Sequence, residues 1–253
     1  MCVDGGTFSS TSSTFSNNSA GVSGGAISIF PGSVVVVVSA SMIDNHAQIS
    51  GTLAATLFSV PQSSTISIEL GGAVLIVSSE LQVLTSNFRE NTASVSGGAI
   101  AVVLGGLFLR SGCVLVGNKA EIGGAVSCQN LGGVSAAEIF LQDVSASNNS
   151  ASCGGVFYSD ECSFADNGGQ YFANEAKTVS PYSVGDCAGG GVLAFLGRGS
   201  LSLTTTIMNG NRANGGDGGA IFLSLLDTSL RMSWVSLTLQ GKPLHCVFCC
   251  SMA

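Results

Sequence analysis

The sequence predicts an all-β fold, a solenoid of stacked coils, and three observations carry that prediction. Asn-x-Ala recurs seven times, led by Asn18, Asn45, Asn91, Asn118, Asn149, Asn174 and Asn211. A Gly pair recurs as often, at Gly24-Gly25, Gly71-Gly72, Gly97-Gly98, Gly123-Gly124, Gly154-Gly155, Gly190-Gly191 and Gly218-Gly219. After each pair the side chains alternate with a period of two, as strands stacked in register require. Self-similarity at 20 to 50 residues overrides domain counting by length and is the signature of a solenoid.

The strand after each Gly pair is the best defined element. Two positions beyond the second Gly stand Ile27, Val74, Ile100, Val126, Phe157, Leu193 and Ile221, all apolar. Four positions beyond it, Ile29, Ile76, Val102, Phe195 and Leu223 continue the stripe, with Cys128 and Ser159 in the other two copies. Directly after the pair the residue is small, Ala in five copies of seven, as suits a crowded corner. A second strand follows a short turn, Val34 to Val38 after Phe30-Pro31-Gly32-Ser33 and Leu107 to Leu109 after Leu104-Gly105-Gly106. Three residues before each Asn a bulky side chain recurs (Phe15, Met42, Phe88, Leu115, Tyr171 and Met208, with Ala146 the exception) and is expected to plug the interior.

Successive Asn residues are separated by 27, 46, 27, 31, 25 and 37 positions. The short values define one coil, a length that accommodates three short strands and three turns. The 46 admits two readings, a degenerate extra coil in residues 46 to 70 or an excursion from the stack, and Gly71-Gly72 has no unique place until one is chosen. The 37 reflects Lys177 to Cys187, which with Pro181 and Gly185 reads as an extruded loop. Eight or nine coils are expected, in one repeat domain over residues 1–239, with 240–253 an aberrant Cys-rich tail. Because Met1-Cys2-Val3-Asp4-Gly5-Gly6 starts in mid-repeat without a secretory leader, the chain reads as a fragment of a longer stack.

At each Asn turn the amide is expected to bond the next Asn, building a ladder along the stack. Asn also tolerates the left-handed backbone conformation that a sharp corner requires.

Composition excludes several roles. Charged residues make up 9% of the chain and the net charge is −7, with eight scattered Lys and Arg, so nucleic acid is not an expected partner. No apolar run reaches the ~18 residues of a membrane-spanning helix; Ala26 to Met42 and Gly97 to Leu109 are broken by Pro31, Gly32 and Gly105-Gly106. Asn17-Asn18-Ser19 and Asn148-Asn149-Ser150 carry glycosylation sequons.

The repeated pairing of Phe15-x-x-Asn18 with Gly24-Gly25-Ala26-Ile27, of Phe88-x-x-Asn91 with Gly97-Gly98-Ala99-Ile100, and of Asn211 with Gly218-Gly219-Ala220-Ile221 resembles the repeats of the polymorphic outer membrane proteins of chlamydiae. Such repeats also occur in surface proteins of some protists and algae. The resemblance covers about residues 5 to 223. It implies a right-handed parallel β-helix, pectin-lyase-like, in an extracellular or cell-surface protein with an adhesive or structural role, whose partner would be a host or cell-surface protein or glycan.

Parallel β-helices also carry polysaccharide lyases and hydrolases, so a carbohydrate-active enzyme is the alternative. Such catalysis needs clustered carboxylates, or carboxylates with a metal and a basic group. Asp160, Glu161 and Asp166 are the densest acidic group; Asp186 and Asp217 each precede a Gly pair, and Arg198 and Arg212 are the available bases. Solvated turn carboxylates explain the same residues, and the expectation is a non-catalytic protein with no cofactor and no metal. His46 sits inside an Asn-x-Ala unit, and the tail cluster His245, Cys246, Cys249 and Cys250 lacks the two separated ligand pairs of a structural zinc site. Cys153 and Cys187 precede the Gly pairs of consecutive units, and adjacent coils would bring them together either as a disulfide or as free apolar thiols.

Overall fold

A computed structural model of the chain describes residues 1–48, 71–130, 137–177, 187, 189–214, 216, 218–233, 236–238 and 248–252. Every regular element among them is a strand, and every strand pairing is parallel. The strands wind into a parallel β-helix with three faces and a short fourth edge. Coil 2 shows the plan: Ile27–Ile29 on the first face, Val34–Val38 on the second, Ser41–Ile43 on the third and His46–Ala47 on the edge. Each segment pairs with its counterpart one coil away, as Val34 to Val38 do with Glu80 to Leu84 and those with Gly106 to Arg110.

The first face runs through nine coils, from Cys2–Val3 to Phe248–Met252. The last of these strands lies in register with Ile221 to Leu225, so part of the 240–253 tail continues the stack. In coil 7 the first two faces are one strand, Leu193–Thr204, whose pairing slips by a residue between Gly197 and Arg198. The extra residue, Leu226, is on the coil 8 strand Ile221–Ser233, which like coil 7's crosses a corner that coils 1 to 6 turn with a loop.

Parallel coils bury what alternation selects. Ile27, Val74, Ile100, Val126, Phe157, Leu193 and Ile221 form one interior column of the first face, and Val37, Val83, Leu109, Leu141 and Leu203 form one on the second. The plug column Met42, Phe88, Leu115, Ala146, Tyr171 and Met208 fills the third side. Tyr171 stands over the one small plug, Ala146, and packs edge to face on Phe157, which does the same with Phe164.

No coil lies between the strands on either side of the 46-residue interval. Ile27 pairs directly with Val74, Val34 with Glu80, Ser41 with Asn87 and His46 with Thr92. Coils 2 and 3 are therefore immediate neighbours, and Gly71-Gly72 is the Gly pair of coil 3. Residues 49–70, over which the two readings differ, lie outside the described residues, as do 178–186 of the Lys177 to Cys187 stretch that the sequence reads as a loop.

Candidate functional site

The seven Asn side chains stand in one column. Each Nδ2 donates to the Oδ1 of the next Asn, at 2.8 Å from Asn18 to Asn45, 3.0 Å from Asn91 to Asn118 and 2.9 Å from Asn174 to Asn211. Asn45 to Asn91, Asn118 to Asn149 and Asn149 to Asn174 complete the ladder at 3.0 Å each. The same Oδ1 also accepts the backbone N–H of the preceding Asn, as Asn118 Oδ1 does from Asn91 at 3.1 Å. The second Nδ2 hydrogen goes to the carbonyl of a plug residue, from Asn91 to Met42 at 2.9 Å and from Asn118 to Phe88 at 3.1 Å. Within the stack, two donors and two acceptor sites are thus used by every amide, which is why Asn45, Asn91, Asn118, Asn149 and Asn174 tolerate complete burial.

One expectation about these turns is corrected. The left-handed residue is the one before each ladder Asn: Asn17, Asp44, Glu90, Gly117, Asn148, Ala173 and Gly210 all have positive φ, whereas no ladder Asn does. The ladder needs the Asn backbone N–H and side chain aimed together along the stack, so the reversal falls one residue earlier, with its side chain turned outward. The two sequon acceptors, Asn17 and Asn148, are exposed at this outward position.

The two glycines of each pair have different jobs. The first carries positive φ, from +57° at Gly24 to +72° at Gly71. The second meets backbone: a Cβ on Gly98 would lie 2.2 Å from the Gly124 carbonyl oxygen and 2.6 Å from Lys119 N and O, and on Gly124 it would lie 2.2 Å from Gly155 O. Gly25, Gly72, Gly155 and Gly191 repeat this contact, so the start of each coil is pressed against the Asn-x-Ala edge that ends it. Gly219 completes the series, its carbonyl oxygen meeting the same position of Gly191.

Cys153 and Cys187 form a disulfide with Cα atoms 5.9 Å apart, tying the residue after the 178–186 segment to coil 6's Gly corner. A second disulfide was not anticipated: Cys128 and Cys162, with Cα atoms 6.3 Å apart, are joined inside the coil across the corner between the first two faces. Cys128 occupies the interior position of Val102, and that replacement was the available signal; its partner stands at the corner position that Ala137, Gly105 and Ser79 hold in the preceding coils. Cys2 and Cys113 are free.

The acidic residues do not converge. Asp160 ends a first-face strand on the outside, where burial and then Glu161 raise its pKa, while Asp166 occupies the interior position of Leu141 and Leu203. Thr206 Oγ1 donates to Asp166 Oδ2 at 2.7 Å. A Cβ on Gly169 would lie 2.3 Å from Asp166 Oδ2 and 2.4 Å from the Tyr171 hydroxyl, so the missing side chain is what admits both groups. The Tyr171 hydroxyl lies close enough to the carboxyl to act on its charge, yet it and Asp166 Oδ1 have no hydrogen-bond partner. Burial pushes the Asp166 pKa up to about 6; the Thr206 and Tyr171 hydroxyls oppose that rise, and nearby Asp143 adds to it. Burial, with Asp166 beside it, also holds the Tyr171 phenol well above its ordinary value.

The remaining candidates lie apart from that carboxyl. Arg198 is exposed opposite the coil 8 bulge, and Arg212 pairs on the edge with Glu175 at 3.1 Å. Glu175 also meets Lys177 at 3.4 Å and the Asn214 amide. His46 Nε2 is 2.9 Å from Asp44 on the same outer edge. Asp186, Asp217, His245 and Cys246 lie outside the described residues. Among the described residues no three His, Cys, Asp or Glu side chains gather as a metal site would require, and no helix is long and apolar enough to cross a membrane.

The outer faces differ in character. The second carries Val34, Val36, Val38, Leu84, Phe108 and Phe140 over coils 2 to 5, with the Arg110 guanidinium 5.5 Å and 5.3 Å from the two ring centroids. The third is mixed, its apolar residues separated by Ser41, Asn87, Ser145 and Gln170.

Against known families, residues 12–29 match the repeat described as the Chlamydia polymorphic membrane protein (Chlamydia_PMP) repeat. This stretch contains Phe15, Asn18 and Gly24-Gly25-Ala26-Ile27, the residues on which the resemblance was drawn. No curated protein and no solved structure matches the chain.

Proposed function

We propose that this chain is a non-catalytic β-helix segment of a secreted or surface protein, with an adhesive or structural role. The observation that carries the reading is the use of its polar interior: the ladder from Asn18 to Asn211 consumes the buried amides in cohesion between coils. Two further features support it. The two disulfides, which staple coils 5 to 7, suit an oxidising compartment. The family matched at residues 12–29 is one of membrane proteins by its name.

The carbohydrate-active alternative would need acids and bases around one groove. Asp160 on the outside and Asp166 in the core give it little support, because one wall of the coil separates them.

The test combines two measurements on the oxidised chain. Coated on a surface, it is expected to retain cells or extracellular matrix saturably. Incubated with acidic and neutral polysaccharides, it is expected to release no reducing or unsaturated ends. Turnover that disappears in Asp160→Asn or Asp166→Asn would overturn the reading in favour of the enzyme.

A further inference from the structure

The outer second face is laid out as an interface. Its apolar residues lie in coils 2 to 5, interspersed with Gln82, Gln142 and the charged groups described below, and small side chains border them on both sides: Thr7, Ser9 and Thr11 in coil 1, Ser163, Ala165 and Asn167 in coil 6. An apolar centre with a polar rim is the usual anatomy of a protein contact surface. Three outward columns run along the stack, from the first, third and fifth residues of each strand. Phe108 and Phe140 are neighbours in the middle column, paired one coil apart with ring centroids 6.4 Å apart.

Charge decides what kind of partner fits. The first column holds the acids, Glu80 and Glu138, separated in the stack by Gly106, which presents no side chain. Glu80 accepts from Gln82 Nε2 at 2.5 Å, while Glu138 is exposed and forms no ion pair among the described residues. The fifth column holds Arg110 in coil 4, also without an ion pair among the described residues. Its guanidinium leans across the Phe108 and Phe140 rings toward coil 5. An unpaired anion and an unpaired cation therefore sit on opposite margins of one apolar face, about 13 Å apart across four residues of strand.

We propose that this face binds a second copy of the chain, face to face, about a two-fold axis parallel to the stack. That operation sets first column against fifth column at the same coil and the middle column against itself. Arg110 of each copy then faces the Gly106 position of the other, over which the Phe108 ring and the Glu138 stem lean, with the Glu138 carboxylate one coil away on the side toward which the guanidinium leans. The pair forms twice, as an isologous contact demands. A two-fold axis along the strands would instead set the acidic column against itself. Coils 1 to 7 offer a projected face on the order of 500 Å² per copy, at the small end for protein interfaces, so the dimer is weak and concentration-dependent. The surface is independent of whether the chain is adhesive or catalytic.

The test is sedimentation equilibrium on the oxidised chain up to several hundred micromolar, with a non-reducing gel to exclude covalent dimers. A reversible dimer is expected, weakened at least tenfold in Arg110→Glu and in Glu138→Arg while thermal unfolding shows both variants folded. Mixing the two variants is expected to restore association, because one copy then carries acids at both positions of the pair and the other carries guanidinium groups at both. A chain that stays monomeric, variants that dimerise like the parent, or a mixture that fails to recover would each overturn the proposal. So would a folded monomer that binds glycan or a foreign protein through this face.

Discussion

Coils 4 and 6 share the same repeat and pair their strands the same way, yet one is dry inside and the other is not. On the second face coil 4 buries Leu107 and Leu109; coil 6 buries Phe164 and Asp166 at the same two positions. At the following corner Cys113 of coil 4 is replaced by Gly169, and the plug Leu115 by Tyr171. The three changes depend on one another. Phenol and carboxyl need the space that a side chain at 169 would fill, and Thr206 of coil 7 supplies a hydroxyl to the carboxyl. A solenoid tolerates such a departure because each coil answers only to its neighbours. It also flanks this one with covalent links, Cys128–Cys162 on one side and Cys153–Cys187 on the other.

The largest effect should come from breaking what both coils share. Gly124→Ala places a Cβ 2.2 Å from the carbonyl oxygen of Gly155, a backbone atom that cannot move alone. A loss of more than about 4 kcal/mol is expected in chemical denaturation, whereas Gly21→Ala, with open space around it, should change little. Next comes Asn118→Ala. It strands the Asn91 amide and the Phe88 and Asn149 groups in the core, at about 3–5 kcal/mol in total. At the half-buried end of the ladder Asn18→Ala should cost about 1 kcal/mol.

Removing either disulfide opens a loop of 34 residues, worth about 4 kcal/mol in the chain-entropy model, and smaller where native strain is relieved. Proteolysis of Cys128→Ala is expected to begin in coils 5 and 6, leaving coils 2 to 4 protected. Uniform cleavage along the stack would argue against the local role of the staple.

The pH dependence separates coil 6 from coil 4 directly. Asp166 has a folded pKa of about 6, above the ordinary aspartate value, so its neutral form is the one the folded state prefers. Its contribution is fully present below the unfolded value near pH 4 and is lost as pH rises through 6, by about 3 kcal/mol at most. Asp166→Asn and Asp166→Leu should therefore flatten the stability profile between pH 4 and 8, with the Leu variant the more stable at pH 8. A parent profile already flat over that range would show that the carboxyl is not buried. The smallest effect is expected from Arg212→Ala, which removes an exposed ion pair on the edge and should shift the midpoint by no more than about 0.5 kcal/mol.

Much of this was legible before any coordinates. The inward columns follow from period-two alternation, and the ladder from Asn at a fixed place before an Ala. Cys153 and Cys187 were candidates because both precede Gly pairs. Other features left no periodic trace. Cys162 stands at a corner where other coils have Ala137, Gly105 and Ser79, so its pairing with Cys128 needs the cross-section of the coil. Asp166 reads in sequence as one more turn carboxylate beside Asp160 and Glu161; only the pairing Leu141–Asp166–Leu203 turns it inward.

What the sequence determined by itself was the unit: a left-handed turn, an amide, a Gly corner and an alternating strand, because each rests on chemistry local to a few residues. What only the tertiary structure decided was how the units meet. Spacing alone could not choose between an extra coil and an excursion before Gly71. Direct pairing seats Gly71-Gly72 in the coil next to coil 2, because hydrogen bonds between coils depend on which strands are adjacent and are indifferent to the chain length between them. The outer faces follow the same logic. Which of Val34, Phe108, Phe140, Arg110 and Glu138 share a surface is set by register across coils, and no single repeat contains that information.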